Sequence, residues 1–130
     1  MASLINDLEI QGTQSTPVVT SDWSRGCLQM EGNSYPENSF EFFSGIFSWI
    51  ERYLDEGAEP LCLELALIYM NTSSVKAMMD IFDLMEEAHG RGREVRVRWY
   101  FDPRNERVME MAEEFREDYT FSFDILPREG

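Results

Sequence analysis

The sequence predicts an α/β fold with a mixed five-stranded sheet and three main helices, and three observations carry that prediction. Runs of apolar residues with a period of two alternate along the chain with runs of helical period. One of the strand-like runs, "PLCLELALIYMN", is apolar on both of its alternating sets except at Glu64. Two short strand-like runs stand together ahead of the first helical one, which makes an antiparallel pair at the start of a sheet otherwise built by crossovers. At 130 residues the chain is read as one domain over 1–130, with residues 1–9 expected to be flexible. Such a length buries about two thirds of the surface the unfolded chain exposes.

Residues 1 to 16 are polar and irregular, and "TPVVTS" and "CLQMEG" then flank the turn-rich "DWSRG". "SYPENSFEFFSGIFSWIERYLDEG" is the first helix, with Ser34 or Tyr35 outside it, Pro36 in its first turn and Gly57 as its stop. It repeats Phe40, Phe43, Phe47, Ile50 and Leu54 at core spacing, and Phe42, Ile46, Trp49 and Tyr53 form a second stripe. A two-layer domain needs only one stripe, so the second is buried under neighbouring elements or docks a partner. "PLCLELALIYMN" belongs in mid-sheet, covered on both faces. The second helix, "SVKAMMDIFDLMEEAHGRG", places Val75, Met78, Met79, Phe82 and Met85 inward and closes at His89 and Gly90. "EVRVRWYF" alternates Val95, Val97, Trp99 and Phe101 against Arg96, Arg98 and Tyr100, so it lies nearer an edge. Asp102 and Pro103 open a third helix through Val108, Met111, Ala112 and Phe115, and "YTFSFDIL" ends the sheet.

The net charge of −14 repels phosphate backbones and anionic membrane surfaces at range, which argues against nucleic acid and membrane as partners. Six arginines do gather between Arg91 and Arg107, but Glu94, Asp102 and Glu106 are interleaved with them. "MASLINDLEIQ" lacks a basic stretch and an apolar run of signal-peptide form, and a cytoplasmic protein is expected. Cys27 and Cys62 have no CxxC spacing and are expected to be reduced, buried thiols. With His89 the single histidine, neither a metal site nor a cofactor is expected.

The stretch that concentrates interest is "YMNTSSVKAMMD", Tyr69 to Asp80. Four small polar residues, Asn71, Thr72, Ser73 and Ser74, follow the central strand where it passes into a helix, the position at which open α/β sheets place their function. Thr72 or Ser73 can cap the helix. A nucleophilic hydroxyl would need a base within hydrogen-bond reach. His89 lies near the far end of the same helix, roughly 25 Å away at 1.5 Å per residue. The helix start also tolerates a phosphate, through its free amides and positive dipole end. Lys76, the only lysine in the chain, sits in the first turn, where the dipole disfavours a cation.

On these residues the chain resembles the SiaC family of bacterial regulatory phosphoproteins. "NTSSVKAMMDIFDLME" is similar to the family's phosphosite region, and the likeness extends to "IQGTQSTP", "GNSYPENSFEFF" and "DPRNERVMEMAEEF". The resemblance implies a fold like that of STAS domains, the anti-sigma-factor-antagonist class, and places the phosphoacceptor at Thr72. The surrounding switch and partner surface is assigned to Asn71, Ser73, Ser74 and Lys76, with Tyr35 and Glu37 from the second matching stretch. It implies a non-enzymatic protein whose unphosphorylated form binds and activates a diguanylate cyclase (a GGDEF protein), raising cyclic di-GMP and favouring biofilm or aggregation. A dedicated Ser/Thr kinase and a PP2C-like phosphatase would set the phosphorylation state. Phosphorylation-controlled antagonism of an anti-sigma factor, without a cyclase, is the alternative binding function.

Overall fold

A computed structural model describes residues 7–128. Strands β1 (Glu9–Ile10), β2 (Val18–Asp22) and β3 (Cys27–Ser34) form an antiparallel meander. Strands β3, β4 (Leu61–Met70), β5 (Val95–Phe101) and β6 (Ser122–Pro127) then run parallel, and the spatial order equals the chain order. Helices α1 (Ser39–Glu56), α2 (Thr72–Gly90) and α3 (Glu106–Glu117) are the crossovers. Every crossover steps the same way along the sheet, and right-handed connections therefore put all three helices on one face. They run side by side in one direction, opposite to the strands. The mixed α/β fold and its three helices are as the sequence predicts. The sheet has six strands instead of five, because the segment read as irregular supplies β1, whose two residues are too short for an alternating pattern to register.

β4 is interior and β5 is one strand in from the β6 edge, as their patterning suggests. The expectation that β4 is covered on both faces is corrected. Leu61, Leu63, Leu65 and Leu67 have no exposure at all, whereas Cys62, Glu64 and Ala66 on the other set are half-buried and Ile68 is exposed. The apolar look of that second set comes from two small residues, Cys62 and Ala66, and from the exposed Ile68 on an open sheet face. Glu64 organises the open face, accepting from Gln29 Nε2 at 2.8 Å and facing Arg98 Nη1 at 3.8 Å. Cys27 and Cys62 stand opposite each other in the β3–β4 register as free thiols. Burial, with the Glu64 charge adding to it, pushes Cys27 up to about 11.

Helices α1 and α3 begin later than their sequences suggest. β3 runs on to Ser34, Pro36 is buried in the link, and Asn38 caps α1 by accepting from Glu41 N at 3.0 Å. Neither Ser34 nor Tyr35 flanks the helix directly. Asn105 caps α3, while Asp102 braces the preceding turn through Arg104 N at 2.9 Å and the Arg104 guanidinium. In both cases an asparagine three residues before the helical amide outcompetes an upstream proline signal, because its side chain satisfies an otherwise orphaned N–H.

Burial of α1 also differs from the expected stripe. Phe43, Ile50 and Leu54 are buried with Ile46, Trp49 and Tyr53 of the second stripe, whereas Phe40 is 85% exposed and Phe47 only half-buried. Trp23 from the β2–β3 turn packs edge-on against Trp49 and Tyr53, which rotates that side of α1 inward. Along α2, Met78, Ile81, Phe82, Met85 and Ala88 are buried, and Met79, expected inside, is exposed. Of residues 1–9, expected to be flexible, residues 1–6 lie outside the described residues, and Leu8 packs partly against the core.

Candidate functional site

The segment after β4 is built as a layered hydrogen-bonded knot at the start of α2. Asn71, and not Thr72 or Ser73, is the cap: its Oδ1 accepts from Ser74 N at 2.9 Å and from Ser73 Oγ at 3.2 Å. Its own N–H donates to Ser34 O at 3.0 Å, which ties the end of β4 to the end of β3. Ser74 is fully buried, and its hydroxyl is bonded to Ser34 Oγ at 2.8 Å. The Ser73 hydroxyl, besides reaching Asn71, is bonded to Ser39 Oγ at 2.6 Å in the first turn of α1. Two helix N-termini therefore meet at one point of the molecular surface, each presenting free amides and the positive end of its dipole.

Thr72 differs from its neighbours. It is the first residue of α2 and exposed, and its hydroxyl has no hydrogen-bond partner among the described residues. Of the three adjacent hydroxyls, one is sealed in the core, one is held by two partners and one has no partner among the described residues. Lys76 breaks the dipole rule for a local reason, since its Nζ is 2.9 Å from Asp80 Oδ1 one turn on. That carboxylate offsets the cation's unfavourable place in the first turn.

Tyr35 lies beside the site, its ring 5.7 Å from that of Tyr69 in an edge-on pair, and its N–H is anchored on Ser15 O at 2.7 Å. Glu37 is exposed in the short link to α1, next to the cap Asn38. The structure thus brings Tyr35, Glu37, Asn71, Thr72, Ser73, Ser74 and Lys76 to the same end of the sheet. It also adds residues that sequence reasoning missed. Ser34 and Ser39 are the long-range partners of Ser74 and Ser73. Ile68 and Tyr69, at 53% and 56% exposure, join Phe40 and Tyr35 as large apolar side chains left open to solvent near the α2 start. A signal for Ile68 and Tyr69 was available: the inward set of β4 stops at Leu67 while the apolar run continues past it.

His89 sits at the other end of α2, beside Phe121, so it cannot serve the hydroxyls as a base. No helix among the described residues is long and apolar enough to cross a membrane.

A two-layer α/β module whose most elaborated surface is a hydroxyl cluster ringed by exposed apolar residues is a binding and regulatory module in its architecture. The chain belongs to the SiaC family of regulatory phosphoproteins, whose model matches residues 10–128. A protein of Pseudomonas aeruginosa strain UCBPP-PA14 is 60% identical over 121 residues, 93% of this chain and 96% of the relative. The fold matches the crystal structure of apo-SiaC from P. aeruginosa with a TM-score of 0.89 at 57% identity, covering 94% of this chain and 99% of that one. It also matches a chain in the crystal structure of the P. aeruginosa diguanylate cyclase SiaD in complex with its activator SiaC. There the TM-score is 0.91 at 59% identity, with 94% and 100% of the two chains covered.

Proposed function

We propose that this protein is a non-catalytic phospho-switch of the cytoplasm whose unphosphorylated form binds and activates a diguanylate cyclase, raising cyclic di-GMP and promoting biofilm or aggregation. Thr72 is the phosphoacceptor, set by a cognate Ser/Thr kinase and reset by a PP2C-like phosphatase. The observation that carries this reading is the selective freedom of Thr72: alone among the three hydroxyls after Asn71 it is both exposed and without a partner among the described residues. The SiaD–SiaC complex of a 59% identical relative supports the cyclase as partner.

The physical basis of the switch is local charge in a dry contact. A phosphate carries about −1.5 to −2 charges at neutral pH, and the two helix N-termini stabilise it in the free protein. The fold therefore survives modification. A partner packed over Tyr35, Tyr69 and the α2 start would have to desolvate that charge without a counterion, at a penalty of several kcal/mol. Treatment with the cognate kinase and ATP should place one phosphate on Thr72, found by fragment mass spectrometry. Calorimetric titration of the purified cyclase should then show binding by the unmodified form and a loss of at least about a hundredfold for the phosphoform, with nearly equal melting temperatures. Phosphate only on Ser73 or Ser74, or equal affinities of the two forms, would defeat the assignment.

A further inference from the structure

Thr72, Lys76 and Asp80 stand four residues apart on α2 and share one stripe of the helix, with about 6 Å between successive members. Lys76 Nζ reaches forward to Asp80 Oδ1 at 2.9 Å. That direction is the weaker of the two open to it. A helical Cα–Cβ bond tilts toward the helix N-terminus, so a lysine side chain leans back over the preceding turn, and an acid four residues before a lysine pairs better than one four residues after it. Asp80 also lies in the middle of α2, where the dipole offers a carboxylate nothing. Both side chains are open to solvent, at 71% and 47% exposure, so water screens the pair and holds it only weakly. Position 72, where the better-placed acid would stand, carries a neutral hydroxyl with no partner among the described residues.

A phosphate on Thr72 would supply that acid. It brings about −1.5 to −2 charges at neutral pH against the single charge of Asp80, and it stands at the helix start, where the dipole favours an anion. The other charged groups around this end of the sheet leave Lys76 as its cation. Glu37 in the link and Glu41 in the first turn of α1 are acids. Arg104, in the β5–α3 link, is held by Asp102 at 2.7 Å. Arg107 is exposed on the neighbouring helix, in the first turn of α3.

We propose that Lys76 is the built-in counterion of the phosphoform: when Thr72 is phosphorylated, the ammonium leaves Asp80, swings back one turn and pairs with the phosphate, and Asp80 is left without its cation. The inference rests on the Thr72 reading above and adds to it the residue that receives the phosphate and the charge released in exchange. It also accounts for a cation set against the dipole in the first turn of α2, since that is the place from which a lysine meets an anion at the helix start. Phosphorylation then alters α2 at two points, about 12 Å apart. One ammonium neutralises at most one of the phosphate's charges, so position 72 stays a net anion. Asp80 becomes a second one, on the trough between α1 and α2 that Lys76 and Asp80 both line. A contact made over this face meets two anions where the unmodified protein shows a hydroxyl and a closed ion pair.

The test uses the full-length protein with phosphothreonine placed at position 72 by codon suppression, beside the unmodified form. In a phosphorus NMR titration, the second ionisation of the phosphate should lie about 0.3 to 0.6 pH unit higher in Lys76→Gln than with the lysine present. A paired ammonium favours the dianion, and its loss raises the pH at which the last proton leaves. Lys76→Arg should hold the titration near its native position, and Arg107→Gln should leave it unchanged. The carboxyl carbon NMR signal of Asp80 reads the other half of the exchange. Lys76→Gln should move that signal in the unmodified protein and leave it in place in the phosphoprotein, where the lysine has already gone. Lys76 and Arg107 are both exposed, so the variants keep the fold, which thermal melts check. An unchanged phosphate titration in Lys76→Gln overturns the proposal, as does one that follows Arg107 instead. A shifted titration with the Asp80 signal still answering to Lys76→Gln in the phosphoprotein overturns the exchange. Each of these results leaves the Thr72 reading standing, whereas kinase treatment of the native protein that leaves Thr72 bare defeats that reading and the role of Lys76 with it.

Discussion

The two ends of α1 are finished in opposite ways. At its C-terminus the guanidinium of Arg93 donates to the carbonyls of Leu54, Tyr53 and Gly57 at 3.2, 3.1 and 2.9 Å and lies over the Tyr53 ring. Tyr53 in turn accepts from Glu59 N through its hydroxyl at 3.0 Å and is packed by Trp23 and Trp49. At its N-terminus the helix is held by a local asparagine cap and one hydroxyl contact to α2, with Phe40 and Tyr35 exposed nearby. One end spends a long, partly buried side chain on three carbonyls; the other leaves donors and apolar surface available. Stability is concentrated where no partner is expected, and interaction capacity where the helices begin.

The sharpest way to break this comparison is at Gly26, in the turn that packs under Tyr53. Its φ is +64°, and a Cβ there would stand 2.4 Å from Pro60 O and 2.6 Å from the Tyr53 hydroxyl. Gly26→Ala should therefore cost roughly 3 kcal/mol, read in a urea melt, even though the change is only one methyl group. Arg93→Ala comes next, at about 2 kcal/mol, because it strips three carbonyls of a charged donor at a helix C-terminus. Neither substitution should change cyclase affinity once the protein is folded. If either one weakens binding while the melt shows a folded protein, the division between the two ends fails.

At the other end the effects on stability should be small and unequal. Asn71→Ala removes the cap of α2 and should cost about 1 kcal/mol. Thr72→Ala removes a hydroxyl that holds nothing and should stay within about 0.5 kcal/mol of the native protein, while preventing phosphorylation and keeping cyclase binding. Chemical denaturation of the pair side by side distinguishes cap from switch. A larger loss at Thr72 than at Asn71 would mean the capping assignment is reversed.

Local spacing in the sequence was enough to determine the α/β class, the three helices and the interior place of β4, while the family was reached through the resemblance of whole stretches such as "NTSSVKAMMDIFDLME". The polar cluster at 71–74 was legible because four small polar residues between an apolar strand and an apolar helix leave few structural alternatives. Periodicity reports which residues share a face of one element; it cannot report what another element brings to that face. Tertiary structure alone decided that the sheet is covered on one side, since that depends on all crossovers stepping in one direction. It also decided which stripe of α1 is buried, because Trp23 arrives from a turn more than twenty residues upstream of Trp49. The same reason separates the three hydroxyls after Asn71. Thr72, Ser73 and Ser74 are near-equivalent in sequence, and Ser34 and Ser39, folded in from the preceding strand and helix, engage Ser74 and Ser73 and leave Thr72 without a partner among the described residues.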